Sequence, residues 1–355
     1  MSFDGIYQGI QKQNDKLTIG KGLRMAKVLI LGGTGTISRN TVEMLLGQSH
    51  KVTILNRAQR DKPPEGAGII IADRHDELAL TAAIVAQRPD VLIDFVCFTP
   101  DTTKSLLRAA TAKVGHLIFV STADAFGYPL TTIPAPDAAP TVPGVGDYAL
   151  AKQDCEALVL EHGRKHSLKV TIARPTYSMG EGFVISLFNT NSTGLINALR
   201  AGRPVVLPEE GSQRFHVSNA VDSGRMIARL ATDPKSAGKT YTVGTKDAIM
   251  LQRDYLALIA EVLGTKAQTI SVPVAAIEAM DLPEYRNSVY ANVTRFDIGF
   301  ALDQFQADFP DFTWIGQLSD PIHAYVARLD REGLLDAPTL PDLETAILAR
   351  WSGRG

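Results

Sequence analysis

The first half of the chain alternates short apolar runs with longer amphipathic segments. The apolar runs are rich in Val, Ile and Leu, which favour β-strands, and the segments between them carry apolar residues at helical spacing. The predicted strands are Lys27–Leu31, Lys51–Leu55, Gly68–Ala72, Val91–Val96, His116–Ser121 and Lys169–Ala173. The predicted helices between them are Arg39–Leu46, Asp76–Gln87, Thr102–Ala112 and Asp147–His166. Apolar strands that alternate with helices indicate an α/β fold with a doubly wound parallel sheet.

The alternation becomes less regular after Arg174-Pro175, although residues 250–264, 273–280 and 316–332 again have helical spacing. We therefore expect a tail, a sheet domain and a smaller mixed α/β C-terminal lobe that is partly interleaved with the sheet domain. The expected bounds are 1–24, 25–180 and 181–355. A lobe that covers the carboxyl ends of the strands would form the substrate half of a cleft.

Composition and charge narrow the class of protein. A formal net charge of -2 argues against nucleic acid or an anionic membrane as the main partner. No apolar run approaches the roughly 18 residues of a membrane helix. Cys97 and Cys155 are far apart and lack metal-ligand spacing, which indicates reduced cytoplasmic thiols and no metal site. Residues 1–24 lack the apolar core of a secretory signal and are interpreted as an ordered arm, an expression remnant or an upstream start.

A glycine-rich turn follows the first predicted strand. Gly32 and Gly35 have the spacing of a dinucleotide-binding turn, and Ser38 occupies its last small position. Gly32 permits the tight turn, and Gly35 lets the backbone approach a pyrophosphate. Because a helix begins here, we expect Thr36 and Ile37 to present the helix N-terminus to that phosphate.

The end of the second strand commonly discriminates NAD from NADP, because an acid there binds the ribose and repels a 2'-phosphate. This chain has Asn56 and Arg57 instead. Arg57, and also Arg39, could clamp a 2'-phosphate, so NADP(H) is favoured over NAD(H). The alternative is that both arginines are solvated and that Asn56 binds the ribose of NAD. Asp73 is placed either to meet the adenine amino group or to cap a helix.

A tyrosine and a lysine lie four residues apart in the helix that follows the fifth strand. Tyr148 and Lys152 share one face of that helix. A nearby ammonium would lower the pKa of the phenol and make it a usable acid and base. An ordinary pair on an amphipathic helix is the alternative for these two residues taken alone.

Taken together, the glycine turn, the Ser121–Gly127 segment, the Tyr148/Lys152 pair and Arg174-Pro175 resemble the extended short-chain dehydrogenase/reductases. More narrowly, the chain resembles an atypical branch of the NAD-dependent epimerase/dehydratase family, whose members act mostly on nucleotide-sugars. The resemblance implies that Thr122, or the adjacent Ser121, hydrogen-bonds the reacting oxygen. It also implies that Tyr148 exchanges a proton and that Lys152 holds the nicotinamide ribose. A homodimer formed through residues 102–112 and 147–166 is a further implication.

One segment departs from the family pattern, and the roles of two others are predicted from composition. Family dehydratases carry an acid pair after the threonine, whereas Ala123 and Asp124 follow Thr122 here, which counts against a 4,6-dehydratase. The Pro-rich segment 133–143 is interpreted as either a lid or a simple connection. The aromatic residues Phe309, Phe312 and Trp314 are expected in the core of the C-terminal lobe.

Three residues of the C-terminal half are candidate substrate ligands: Arg214, Asn189 and Tyr290. Arg214 could bind a diphosphate through its planar guanidinium. The leading hypothesis is an NAD(P)-dependent oxidoreductase or epimerase that transfers hydride at a secondary carbinol of a nucleotide-sugar. One alternative is an NADPH-dependent reductase of another polar metabolite. The other is a non-catalytic dinucleotide-binding sensor or RNA-associated protein.

Overall fold

The computed structural model describes residues 25–58, 62–189, 192–335 and 342–352, so the tail expected over 1–24 lies outside the described residues. The strands are β1 Lys27–Leu31, β2 Lys51–Asn56, β3 Gly68–Ile71, β4 Val91–Asp94, β5 His116–Val120, β6 Lys169–Pro175, β7 Tyr177–Met179, β8 Val205–Pro208, β9 Arg214–Asn219, β10 Thr240–Val243, β11 Ile249–Leu251 and β12 Thr269–Val272. The helices are α1 Thr36–Gly47, α2 Glu77–Gln87, α3 Pro100–Ala110, α4 Gly146–His166, α5 Thr193–Arg200, α6 Ala220–Thr232, α7 Gln252–Val262, α8 Val274–Glu278, α9 Asp303–Asp308, α10 Ser319–Arg331 and α11 Leu343–Ser352. The predicted doubly wound α/β fold with a C-terminal lobe is confirmed.

Seven parallel strands form the main sheet in the order β10-β6-β5-β4-β1-β2-β3. The strand order reverses at β1, which pairs with β2 on one side and β4 on the other. Because all strands are parallel, their carboxyl ends share one edge of the sheet. A reversal of this kind opens a crevice at that edge, where doubly wound proteins bind their ligands.

The C-terminal lobe is built on two small sheets. One has the order β11-β9-β7, and the other pairs β12 with β8. After β9 the chain returns to the main sheet: α6 packs against α1, and β10 pairs with β6. The lobe and the main sheet are therefore interleaved along the chain.

The α1–α6 contact is close because α6 carries a glycine where the two helices meet. A Cβ atom on Gly224 would lie 2.6 Å from Asn40 Cβ and 2.9 Å from the Thr41 nitrogen. The Thr41 hydroxyl also donates a hydrogen bond to the Gly224 carbonyl at 3.2 Å. This contact fixes the position of the helix that follows the glycine-rich turn.

Two segments bear on expectations from the sequence: the aromatic residues near the end of the chain and the Pro-rich segment. Phe309 is fully buried and, with Phe312 and Trp314, packs into the core beneath the main sheet rather than into the lobe. That expectation was wrong because Phe305 and Phe309 pack on Tyr241 of β10, a strand of the main sheet. In the Pro-rich segment, Ala135 donates a hydrogen bond to the Gly299 carbonyl and accepts one from the Ala301 amide. The lid and the connection both stay predictions for this segment. In the described part of the chain, no helix is long and apolar enough to cross a membrane.

Candidate active site

The glycine-rich turn after β1 has the backbone geometry that only glycine adopts easily. Gly32 and Gly33 have φ angles of +105° and +93°. A Cβ atom on Gly33 would lie 2.8 Å from Ile54 of β2. Gly35 immediately precedes α1, and its amide donates to the Ser38 hydroxyl at 2.9 Å. The turn thus brings the N-terminus of α1 to the carboxyl edge of the sheet, where it can bind an anion.

A cavity of about 850 Å³ extends from this turn along the carboxyl ends of the strands to α4. The predicted site residues that line it are Gly32, Gly35, Thr36, Ile37, Asn56, Arg57, Asp73, Ser121, Thr122, Tyr148 and Lys152. Asp73 does not cap α2, since Asp76 accepts the capping hydrogen bonds. The tertiary structure therefore joins the predicted nucleotide and proton-transfer residues in one space.

Four other predicted residues are not among those that line the cavity. Arg39 donates to the Lys62 carbonyl and lies 3.7 Å from Glu43. Arg214 forms an ion pair with Asp297 at 2.8 Å. These arginines therefore have protein partners in place of the expected phosphates.

The remaining two of the four are also engaged elsewhere. Asn189 donates from its amide nitrogen to Asp342 at 2.8 Å. Tyr290 is fully buried and stacks on Phe188 with ring centroids 5.0 Å apart. Both side chains hold parts of the lobe together. The sequence alone does not show whether such residues line a cleft or pack within the lobe.

Lys152 is almost completely buried at the junction of the cofactor and substrate ends of the cavity. Its ammonium donates to the carbonyls of Cys97 at 2.8 Å and Val120 at 2.9 Å. The ring centroids of Phe98 and Phe119 lie 5.0 and 5.1 Å from it. Burial lowers the pKa of Lys152, and acidic groups nearby, including Asp94, oppose that shift.

Tyr148 lies one helical turn before Lys152, and its ring centroid is 6.5 Å from that of Phe98. Although 47% of its surface is exposed, burial around the hydroxyl raises its pKa, and the negative charge of Asp124 raises it further. The Thr122 hydroxyl lowers the pKa of Tyr148 and so acts in the opposite direction. This differs from the expectation that Lys152 lowers the pKa of Tyr148, because the ammonium is directed at main-chain carbonyls.

A hydroxyl-rich cluster surrounds Asp124 at the substrate end of the cavity. Thr122 caps the 3₁₀ helix that begins at Ala123, and its hydroxyl donates to the Asp124 carboxylate at 3.2 Å. Tyr128 donates to the same carboxylate at 2.9 Å, and Tyr177 also donates to it. Burial raises the pKa of Asp124, whereas the three hydroxyls lower it. The sequence alone presents Asp124 only as a departure from the dehydratase pattern.

A second residue that the sequence analysis missed lies at the cofactor end. Arg74 is 6% exposed and pairs with Asp94, which is completely buried, at 2.6 Å. Among the described residues, its Nε and Nη1 atoms have no hydrogen-bond partner, and Arg74 lines the cavity next to Asp73. Only its place directly after Asp73 could have identified it from the sequence.

These features fit a nicotinamide dinucleotide. The glycine turn and the N-terminus of α1 suit a pyrophosphate, and Asn56, Arg57 and Asp73 suit the adenosine half. The unpartnered donors of Arg74 lie along the same end. Lys152 and Tyr148 mark the end where the nicotinamide would meet a substrate.

Comparison with known proteins agrees with this geometry. A curated relative, the 2'-dehydrokanamycin reductase of Streptomyces kanamyceticus, is 27% identical over 280 residues, which cover 78% of this chain and 77% of the relative. The UDP-glucose 4-epimerase of Thermotoga maritima, solved with UDP-glucose, superposes with a TM-score of 0.68 at 16% identity and covers 86% of this chain and 99% of that chain. An epimerase of Methanothermobacter thermautotrophicus gives a TM-score of 0.71 at 15% identity, with coverage of 88% and 95%.

The fold and the cavity are those of a dinucleotide-binding α/β protein, with a glycine turn at the carboxyl edge of a doubly wound sheet. The model of the NAD dependent epimerase/dehydratase family matches residues 28–244, more than half of the chain. The protein belongs to that family.

Proposed function

We propose that the protein is an NADPH-dependent reductase of a ketone in a polyhydroxylated small molecule, and that it oxidises the corresponding secondary alcohol in reverse. The observation that carries this proposal is the shared cavity: Tyr148, Thr122 and Lys152 line the same space as the glycine turn. A proton donor and an oxygen-binding hydroxyl at the nicotinamide end suit one reaction class, transfer of a hydride and a proton to one carbonyl group.

The proposed reaction consumes the ketone, NADPH and one proton, and forms the secondary alcohol and NADP⁺. When bound, the nicotinamide supplies the hydride to the carbonyl carbon. Thr122, whose hydroxyl donates to Asp124 in the free protein, turns that hydrogen to the carbonyl oxygen and orients it. The Tyr148 hydroxyl gives its proton to that oxygen, and its raised pKa in the free protein keeps the proton in place until then. Lys152, anchored by two carbonyls, is placed to hold the nicotinamide ribose.

The residues at the end of β2 support NADPH over NADH. Asn56 and Arg57 line the adenosine end of the cavity, and neither of them is an acid that would repel a 2'-phosphate. Arg57 is exposed and can meet a phosphate through its planar guanidinium. Arg39, the other expected clamp, already donates to the Lys62 carbonyl, so the proposal gives this role to Arg57.

The charges at the substrate end do not favour a nucleotide-sugar. Burying a diphosphate requires cations. Apart from Lys152, whose ammonium is already bonded to two carbonyls, the described residues that line this end are hydroxyls, amides, apolar groups and Asp124. Arg214, the expected diphosphate ligand, is paired with Asp297 instead. The curated relative named above is a reductase rather than an epimerase, which also supports the proposal. The homodimer and the cytoplasmic location stay predictions.

The test compares two reactions of the purified protein. With 2'-dehydrokanamycin and NADPH, we expect loss of reduced nicotinamide and formation of one secondary alcohol, with deuterium from labelled NADPH on the new carbinol carbon. With UDP-glucose and NAD⁺, we expect no conversion to its C4 epimer. Epimerisation without net use of cofactor, or no ketone reduction with either cofactor, would overturn the proposal.

A further inference from the structure

The carboxyl group of Asp124 is buried without a cationic partner among the described residues. Asp124 is 8% exposed, lines the cavity and accepts hydrogen bonds from Thr122, Tyr128 and Tyr177. All three donors are neutral hydroxyls, whereas the buried carboxylates of Asp94 and Glu156 each have an arginine. A buried carboxylate ordinarily has a cationic partner, because hydroxyls alone do not replace its lost hydration.

The nearby basic side chains are committed elsewhere. Lys152 donates to the carbonyls of Cys97 and Val120, and Arg174 forms a buried ion pair with Glu156 at 2.6 Å. By contrast, the buried carboxylate of Asp94 forms an ion pair with Arg74, a residue that lines the cavity. Asp124 itself lines the cavity and has no such cation among the described residues.

A second observation, an unpartnered hydroxyl, points to ligand binding beside Asp124. The Ser121 hydroxyl is 6% exposed, lines the cavity and has no hydrogen-bond partner among the described residues. Asp124 and the half-buried Tyr177 line the same space beside Tyr148, so an unpartnered hydroxyl and a carboxyl group without a cation face it together. A group bound there shares the cavity with Tyr148, beside which the reacting carbon is proposed to lie.

We propose that Asp124, held by Tyr128 and Tyr177, binds an ammonium group of the substrate next to the carbonyl that is reduced. This assigns an amine-bearing sugar as the substrate class and makes Asp124 a specificity-determining residue. The inference rests on the proposed reductase function and deepens it. Tyr177 orients the carboxylate and accepts from the same ammonium through its hydroxyl oxygen, while Ser121 hydrogen-bonds a neighbouring hydroxyl of the sugar.

The test uses three chemical forms of one probe, kanamycin, with the NADP⁺ complex of the full chain. Free kanamycin carries ammonium groups, the N-methylated form keeps the charges and adds bulk, and the N-acetylated form adds bulk without charge. Calorimetry measures binding, and formation of NADPH measures oxidation. We expect the N-acetylated form to bind at least about tenfold more weakly than the N-methylated form, because only a charged amine pairs with Asp124.

The matched variants are Asp124→Asn and Asp311→Asn. The first removes the charge and keeps the size, and the second makes the same change at an exposed acid that pairs with Arg229 away from the cavity. Asp124→Asn should weaken binding of both charged probes roughly 10- to 100-fold and leave binding of the N-acetylated probe unchanged within a few-fold. Asp311→Asn should alter none of them.

The outcomes separate this inference from the reductase proposal. Equal binding of charged and acetylated probes by the wild type, or equal losses for all probes in Asp124→Asn, overturns amine recognition and leaves ketone reduction standing. Failure of the wild type to bind any probe also overturns it. If Asp124→Asn does not fold, the wild-type comparison of N-methylated with N-acetylated probe decides. Absence of hydride transfer to any ketone instead defeats the reductase proposal, whatever the probes bind.

Discussion

The ammonium of Lys152 lies 2.8 Å from the carbonyl oxygen of Cys97, although the two residues are 55 positions apart in the chain. This bond joins α4 to the segment that follows β4, on the side of the sheet where the strand order reverses. It fixes the lysine before any cofactor is present, so that little side-chain entropy remains to be lost on binding. The helix that carries Tyr148 and Lys152 is thereby held at the carboxyl edge of the sheet.

Replacement of Tyr148 by phenylalanine should remove the proton donor without altering the cofactor end of the cavity. We expect Tyr148→Phe to lower kcat roughly 10²- to 10⁴-fold, the usual contribution of a positioned acid, while the Kd for NADPH stays within a few-fold. Stopped-flow reduction of 2'-dehydrokanamycin and fluorescence titration of NADPH measure the two quantities. Tyr285→Phe removes a hydroxyl that bonds to Glu278 and serves as the control. Full activity in Tyr148→Phe would exclude the proposed role.

Replacement of Arg57 should change cofactor preference rather than chemistry. Arg57→Gln removes the charge proposed to bind the 2'-phosphate, and we expect the Kd for NADPH to rise about 10- to 100-fold with little change for NADH. Arg39→Gln should have a smaller effect, because Arg39 donates to the Lys62 carbonyl. Titration of each variant with both cofactors tests this. A loss of NADPH affinity in Arg39→Gln but not in Arg57→Gln would reverse the assignment.

A methyl group at the α1–α6 contact should disturb the phosphate-binding turn from a distance. Gly224→Ala places a Cβ 2.6 Å from Asn40 Cβ, and overpacking of this kind costs about 1–3 kcal/mol. We expect a lower Tm and weaker NADPH binding, since α1 must shift. Gly47→Ala, at the end of α1 with open space around it, should leave both quantities unchanged or raise the Tm slightly. Unchanged Tm in Gly224→Ala would show that the two helices adjust without cost.

Glu344 should make the stability of the protein depend on pH. Its carboxylate accepts a hydrogen bond from the Val206 amide at 2.8 Å, and burial raises its pKa from 4.5 to about 7. The folded state therefore binds more protons than the unfolded state between these values, so the free energy of unfolding should fall as pH rises from about 4.5 to about 7. The largest expected effect is about 3 kcal/mol.

Urea unfolding at a series of pH values measures that effect. Glu344→Gln keeps the acceptor for Val206 but cannot ionise, so its stability should decline less over the same interval. Glu65→Gln changes an exposed glutamate and should retain the wild-type profile. Identical profiles for Glu344→Gln and the wild type would show that the carboxyl group does not carry the dependence.

The fold and half of the site could be predicted because they depend on local patterns. Strands such as Lys27–Leu31 coincide with the structure, since a continuous apolar run between polar turns has few alternatives. The glycine turn and the Tyr148/Lys152 pair carry their geometry in residue spacing. Each of these predictions required only neighbours along the chain.

The substrate end could not be predicted in this way. Arg214 resembled a diphosphate ligand, but β9 places it beside Asp297, 83 residues away. Tyr290 resembled a cleft residue and is instead stacked on Phe188. Conversely, Asp124 is a candidate binding residue because of a long-range contact: Tyr177 of β7, 53 residues away, donates a hydrogen bond to its carboxylate. The net charge at a point in a cavity depends on which charged side chains from distant parts of the sequence form ion pairs. Residue spacing contains no information on these long-range pairs.

The sequence by itself determined the doubly wound sheet and the glycine turn at its carboxyl edge, and it predicts that Tyr148 and Lys152 on one helical face transfer the proton. Periodicity and backbone freedom are local properties, so the order of residues is sufficient to express them. Only the tertiary structure decided which polar groups of the described residues stay available at the cavity: two guanidinium nitrogens of Arg74, whose third nitrogen pairs with Asp94, and the carboxyl group of Asp124, which accepts only from neutral hydroxyls. Pairing depends on distances across the fold, because a buried charge stays available to a ligand only where no side chain of opposite sign reaches it.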